Sequence, residues 1–198
     1  MLPDENGYYV IKIQPSHVAI LVPSVRKASD FLRQFNFKIE KEEIWDGEGT
    51  KEIYVERDKS NSLLLMEPIK PGAYQRALDK RGPGLHHLAI DVLNLETYIE
   101  SLSDSGWLLH PMSIKTIKQS QTAYLARPGF PGLIEVQERS ELNERTLFVE
   151  RISMQMHLSF AGLLKHIGLD SIVKASSSPT ELTLGDQIIQ LESLIRGQ

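Results

Sequence analysis

The chain of 198 residues contains no cysteine. Disulfides, thiolate metal sites and cysteine nucleophiles are thereby excluded, and a cytoplasmic location is expected. No apolar stretch approaches the roughly 18–20 residues that a membrane-spanning helix needs. Lysines and arginines are scattered and the formal net charge is −4, so nucleic acid is not an expected partner. The start, Met1 to Gln14, is acidic and polar before Tyr8-Tyr9-Val10-Ile11, without the basic head and apolar run of a signal peptide. A Gly-x-Ser-x-Gly elbow is missing, which leaves a serine hydrolase without support. Gly47-Glu48-Gly49 lacks the third glycine and the preceding buried strand of a dinucleotide loop. Ser24-Val25-Arg26-Lys27 matches Ser-x-x-Lys, but helix capping explains it more simply.

What is present is an ordinary globular composition, with 41% apolar and 24% charged residues. The length suits one good-sized core or two small modules sharing one. The informative feature is an internal repeat. His17-Val18-Ala19-Ile20-Leu21-Val22 is answered by His87-Leu88-Ala89-Ile90-Asp91-Val92 at an offset of 70 residues. The match continues with Asn36-Phe37 against Gly106-Trp107, and with Ile53-Tyr54-Val55-Glu56-Arg57 against Ala123-Tyr124-Leu125-Ala126-Arg127. Leu63 falls on Leu133. Duplication of a core explains recurring apolar residues. It does not explain a titratable, metal-binding side chain at the head of both first strands.

Periodicity predicts β-α-β-β-β in each copy. In the first, a strand covers 17–22 and Ser24 caps a helix that ends near residue 35. Strands follow at 37–40, 53–55 and 63–66, with a turn at Asp58-Lys59-Ser60-Asn61. A connector from Pro68 to Pro83 carries a short helix near 73–80. The second copy repeats the order with a strand at 87–92, a helix at 95–104, and strands near Trp107, 121–126 and 133–137. From residue 142 the pattern is again β-α-β-β-β, with no histidine where its first strand should begin; Val149 stands there. The expected class is α+β: paired βαβββ modules form a curved mixed sheet around a cleft, followed by a C-terminal partial third module. The expected divisions are an N-terminal extension 1–16, modules 17–68 and 85–139, a connector 69–84, and a C-terminal extension 140–198. That last piece is expected to cover a sheet edge or the equivalent surface of a second chain, which makes a homodimer the expected assembly.

In such a pairing His17 and His87 face each other near the middle of the sheet. Glu135, in Gly132-Leu133-Ile134-Glu135-Val136, is a carboxylate flanked by apolar residues on a strand expected at the centre of the sheet, and a divalent cation would compensate its burial. Its alternative partners are Arg57 and Arg127. Two imidazoles and one carboxylate make a facial set with open coordination positions. Strand alternation puts His86 on the opposite face from His87. His110, His157 and His166 fall outside the duplicated positions, and Glu67 and Glu138 near strand ends read as solvated.

At these residues the chain resembles the vicinal oxygen chelate superfamily, which includes glyoxalase I, methylmalonyl-CoA epimerase, extradiol dioxygenases and antibiotic-resistance binding proteins. The resemblance covers about 17–138. Gly84-Leu85-His86-His87-Leu88-Ala89-Ile90-Asp91-Val92 and Gly132-Leu133-Ile134-Glu135-Val136 are most similar to the epimerase branch. It implies His17, His87 and Glu135 as metal ligands, Glu135 also as a catalytic proton carrier, and one divalent ion (Co, Ni, Zn, Mn or Fe). The family's remaining ligand position does not transfer. The family spacing puts Leu64 there and the ungapped repeat puts Leu65, with Glu67 one step further on the cleft side. The resemblance implies a metal-dependent lyase or isomerase that forms a stabilised enolate from a small carbonyl substrate, thioesters included. The epimerases' further carboxylate would come from the region of Asp46, Glu48 and Glu52. The alternatives are an Fe(II) extradiol-type dioxygenase and a non-catalytic binding protein for a small molecule.

Overall fold

The computed structural model describes residues 11–58 and 60–198. Residues 1–10 of the expected N-terminal extension and Lys59 of the expected turn lie outside the described residues. The fold is α+β and begins with two copies of one unit. The first comprises β1 (Ile13–Leu21), α1 (Val25–Arg33), β2 (Glu43–Trp45), β3 (Thr50–Val55) and β4 (Ser60–Pro68). After the connecting helix α2 (Ala73–Arg81) come β5 (Gly84–Val92), α3 (Leu95–Ser101), β6 (Leu108–Leu109), α4 (Ser113–Ser120), β7 (Thr122–Ala126) and β8 (Leu133–Glu138). These strands make one sheet in the order β2-β3-β4-β1-β5-β8-β7-β6. β1 and β5 pair antiparallel at its centre, and each runs parallel to the last strand of its own unit.

β1 is apolar on both faces because both faces are covered. Val18, Ile20 and Val22 enter the main core with the helices, while Ala19 and Leu21 join a smaller cluster on the cleft side. The Ser24 side chain accepts from Lys27 N and caps α1; Asn94 accepts from Thr97 N and caps α3. Glu67 and Glu138 complete the same device. Glu67 accepts from Val25 N at 2.9 Å and Glu138 from Leu95 N at 2.8 Å, so each satisfies an orphan amide of the helix opening its own unit. Glu67 is therefore a helix-end partner and not a substitute ligand, and neither carboxylate is merely solvated.

Local differences from the expected elements have local causes. Residues 37–40 make only a bridge from Ile39 to Val55, and the strand comes later, at Glu43–Trp45. Trp107 is buried edge-on against Phe130, so β6 starts after it. Helix α4 was not anticipated; its Ser113 and Thr116 hydroxyls donate to the carbonyls of Tyr124 and Thr122 and tie it to β7. The repeat also slips. His17 pairs with Ser62 as His87 pairs with Leu133, so Ser62, and not Leu63, is the structural counterpart of Leu133. Between the equivalent pairs Tyr54–Leu64 and Tyr124–Glu135 the second unit has one residue more, which moves every last-strand residue by one place.

The tail begins as a strap. β9 (Thr146–Leu147) pairs with β4 at Ser60 and Asn61. Then follow β10 (Val149–Gln155), α5 (Phe160–His166), β11 (Val173–Ser176), β12 (Glu181–Leu184), β13 (Gln187–Gln190) and α6 (Leu191–Arg196). The element order is the expected β-α-β-β-β, but the strand order is β11-β10-β12-β13, in which the first strand lies parallel to the second instead of the last. Among the described residues the tail does not pair with the outer strands β2 or β6. It packs on the helix-bearing side of the large sheet, where Leu164, Ile167, Leu169 and Leu194 belong to the same core as Val25, Leu32 and Tyr98. The Tyr98 hydroxyl donates to the Ile167 carbonyl at 3.2 Å. The apolar face that a second chain was expected to cover is covered by the chain itself.

Asn61 joins the two parts. It is 1% exposed; its Nδ2 donates to Val149 O at 2.9 Å, and its Oδ1 accepts from Phe148 N at 2.7 Å and Val149 N at 3.0 Å. Asn61→Ala strands these backbone groups and is expected to destabilise the protein by about 2–4 kcal/mol in urea denaturation. A loss below about 0.5 kcal/mol would show that the tail is held without this contact.

Candidate metal centre

The pairing of β1 with β5 brings the two histidines together. Ala19 lies opposite His87 and Ala89 opposite His17, so the histidines are diagonal neighbours on the cleft face. Their Nε2 atoms are 2.9 Å apart. Glu135, which sits opposite Ala89 on β8, brings Oε2 to 3.4 Å from His87 Nε2. The three ligand atoms all lie within 4.8 Å of one another. Around a cation with bonds of about 2.1 Å, neighbouring ligand atoms stand roughly 3.0–3.4 Å apart for right-angle to tetrahedral geometry. The His17–His87 and His87–Glu135 separations match that spacing, and two imidazoles with one carboxylate are a donor set that suits a divalent ion. Glu135 pairs with neither arginine proposed as its alternative. Arg57 reaches Glu43 at 3.0 Å, and Arg127 donates to the Ser105 carbonyl.

Burial sets the electrostatics. It lowers His17 to about 3, helped by His87, while Glu135 opposes the shift. Burial also holds His87 well below the ordinary value, with His86 adding to the effect. Both rings are thus neutral near pH 7, the form that offers a lone pair to a cation. Glu135 is shifted upward by burial, against the pull of His17 and a hydrogen bond with the Tyr124 hydroxyl. A cation would reverse the shift of Glu135 and would bind better once its proton is lost.

His86 does not sit across the sheet from His87, because β5 is bulged there. Ala19 pairs with His87 but Ile20 pairs with Leu85, which leaves His86 as the extra residue. Ser16 is the extra residue at the equivalent place in β1. The bulge turns His86 in beside His87, with their Nδ1 atoms 2.8 Å apart, and under the ring of Tyr74 at 4.9 Å. In the tautomer that makes His87 a ligand, its Nδ1–H donates to His86 Nδ1 and its Nε2 lone pair faces the centre. Simple alternation missed this contact; two adjacent histidines at a repeat boundary were the only signal for it. His110, His157 and His166 lie elsewhere, on exposed or half-buried turns and helix ends.

The register decides which leucine corresponds to Glu135. Leu64 pairs with Ala19, two places after His17, just as Glu135 pairs with Ala89, two places after His87. Leu64 is therefore the counterpart of Glu135, and Leu65 faces the main core. Leu64 is not open to water. It is 3% exposed, in a cluster with Ala19, Leu21 and Met66 against which Tyr54, Tyr74, Ala77 and Leu78 pack. Helix α2 contributes the last three of these and so closes that half of the cleft. Glu52 shares this face, opposite Met66; burial raises it to about 7, against a hydrogen bond from Thr50 Oγ1 at 2.8 Å. Of the other two candidate carboxylates, Glu48 accepts from the Tyr74 hydroxyl at 2.7 Å, and the Asp46 backbone carbonyl accepts from Lys70. The other half of the cleft is open, a cavity of about 830 Å³ bordered by His17, Tyr54, Ser62 and Glu135.

Among the described residues no helix is long and apolar enough to cross a membrane. A comparison with curated proteins gives no match. Similar solved structures include a hypothetical protein from Bacillus halodurans C-125, 25% identical with a TM-score of 0.55, covering 68% of this chain and 99% of that one. A selenomethionine methylmalonyl-CoA epimerase is 20% identical with a TM-score of 0.52, over 67% and 99% of the two chains. An E43Q variant of the Streptomyces coelicolor epimerase, solved with 2-nitronate-propionyl-CoA, is 19% identical with a TM-score of 0.50, over 65% and 98%. The two epimerase likenesses are of fold. Residues 16–124, more than half of the sequence, match the model of one family, and the chain belongs to that family, the glyoxalase/bleomycin resistance protein/dioxygenase superfamily.

Proposed function

We propose that His17, His87 and Glu135 hold one divalent cation and that the protein is a metal-dependent lyase or isomerase acting on a small carbonyl substrate. The observation that carries the reading is the convergence of two neutral imidazoles and a carboxylate within 4.8 Å, at the foot of an open cavity. When bound, a cation supplies Lewis acidity toward negative charge developing on substrate oxygen. The chain supplies the proton chemistry. Glu135 adjoins the reacting centre, and the Tyr124 hydroxyl holds its carboxyl. His86 is a positioning residue, since it acts through His87. Loss of a proton from carbon next to a carbonyl, followed by its return, is the reaction class these residues serve.

A second reading is favoured by one observation. Leucine replaces the carboxylate counterpart of Glu135, which leaves a two-histidine, one-carboxylate set of the kind used by non-haem Fe(II) oxygenases. Oxygen consumption dependent on Fe(II) supports that reading. Solvent deuterium entering the α-carbon of carbonyl compounds and thioesters, with no oxygen uptake, supports the first.

Full-length protein stripped with chelator and titrated with Mn(II), Co(II) or Zn(II) is expected to bind one ion. His17→Ala and His87→Ala should each abolish most of this binding, and His86→Ala should weaken it roughly 10- to 100-fold, as loss of a ligand's orienting partner does. Wild-type affinity in both His17→Ala and His87→Ala would contradict the assignment.

Leu64→Glu tests the covered position. Without metal it buries a charge with no partner and is expected to reduce stability by several kcal/mol. Added divalent cation should restore part of the loss, because the new carboxylate stands where the counterpart of Glu135 would be. An unchanged melt of the metal-free variant would show that α2 does not hold Leu64 in a packed cluster.

A further inference from the structure

The open cavity has a basic end. Arg57, Arg139 and Arg145 all border the space shared with His17 and Glu135. Arg57 follows β3. Arg139 and Arg145 belong to the strap that leaves β8 and crosses the mouth of the cleft to reach β4. The strap is pinned along its length. Arg139 N donates to Val92 O at 2.8 Å, the Gln14 side chain donates to the Asn143 carbonyl, and β9 pairs with Ser60 and Asn61.

Asp91 fixes two of the arginines. It is 1% exposed and lies on the same face of β5 as His87 and Ala89. It accepts from Arg139 Nε at 3.0 Å and from Arg145 Nη1 at 2.9 Å. One guanidinium suffices to neutralise a buried carboxylate. The second leaves this cluster with a positive charge in excess at the cavity wall. Arg57 adds another cation to the same wall. Its guanidinium carbon lies 4.1 Å over the Tyr54 ring, whose centroid is 6.0 Å from that of His17, and it also meets Glu43 at the surface. Of the acidic residues on this side, Asp58 is engaged by Lys38 and Glu144 is exposed on the strap. Asp91 stands four residues beyond His87, roughly 13 Å along the strand by backbone rise. A compact molecule with a functional group at each end can bridge that span.

We propose that this end of the cleft binds an anionic group of the substrate, a carboxylate or a phosphate, with Arg57, Arg139 and Arg145 as donors, while the substrate's other end meets the His17, His87 and Glu135 centre. The substrate class is thus an anionic carbonyl compound. This rests on the reading of that centre as a cation site. Guanidinium suits the task, since its planar fork matches either oxyanion and stays charged at all working pH values.

The test uses full-length protein at low ionic strength, both metal-free and loaded with Mn(II). Calorimetric titrations with succinate, inorganic phosphate and the neutral analogue succinamide are compared. Saturable binding of at least one anion to the metal-free protein is expected, with no binding of succinamide. Arg145→Gln and Arg57→Gln should each weaken anion binding about tenfold or more while leaving Mn(II) affinity unchanged. A preference for succinate assigns the anchor to carboxylate, and a preference for phosphate assigns it to phosphate. Arg57→Gln leaves no buried charge unpaired and reports even if Arg145→Gln fails to fold. The proposal is overturned if metal-free protein that still takes up Mn(II) binds neither anion, or if anion binding is unchanged in Arg57→Gln and in any folded Arg145→Gln. Anion binding in a protein that takes up no metal supports the anchor and overturns the metal reading alone.

Discussion

The antiparallel pairing of β1 with β5 is the constraint on which the site depends. Each strand brings one histidine, and the register places Ala19 opposite His87 and Ala89 opposite His17. Small residues opposite each imidazole leave room for the rings to lean toward each other across the junction. A one-residue slip in this register would put His17 and His87 on opposite faces of the sheet and lose the site altogether. The bulges at Ser16 and His86 sit immediately before the two histidines, so the same irregularity occurs twice, once in each unit. On β5 it adds a second imidazole that holds the first.

The two halves of the cleft have diverged around this shared junction. On the β8 side the last strand presents Glu135, braced by Tyr124 from β7. On the β4 side the same place holds Leu64, and Tyr74, Ala77 and Leu78 of α2 pack over it. A leucine there would be unfavourable beside a cation but is well accommodated under an apolar helix. The leucine at this position and the closure of that half of the cleft are thus one structural feature. What remains open is the side bordered by Ser62, Tyr54 and the arginines. The tail contributes to this face through its strap and supports the opposite face through the core around Leu164 and Ile167. Asn61 links the two roles, since it lies on the strand that receives the strap and binds the backbone where the tail sheet begins.

Much of this was legible in the sequence because the repeat carried it. The recurrence of histidine at the head of two matching strands pointed to the side chains that cluster in the cleft, and the apolar neighbours of Glu135 marked a buried carboxylate. The failures have identifiable physics. An ungapped repeat could not see the extra residue between Tyr124 and Glu135, which decides between Leu64 and Leu65. Alternation could not see a bulge, so His86 was put on the wrong face. Glu67 and Glu138 read as solvated because a helix amide that needs an acceptor leaves no mark on the acceptor's own strand. The tail's strand order was hidden because β-α-β-β-β describes both its topology and that of the repeats; only pairing separates them. The arginine cluster was invisible for a similar reason. Arg57, Arg139 and Arg145 are far apart in sequence and meet only because the strap crosses the cleft over Asp91.

The central claim is that His17 and His87 bind one cation together, with Glu135 completing the set. Pulsed electron paramagnetic resonance of the Mn(II)-loaded protein tests it most directly, because couplings to bound imidazole nitrogens can be counted. Two directly bound imidazole nitrogens are expected in the wild type, and one in His17→Asn. No nitrogen coupling, or a pattern unchanged by substitution of either histidine, would contradict the account.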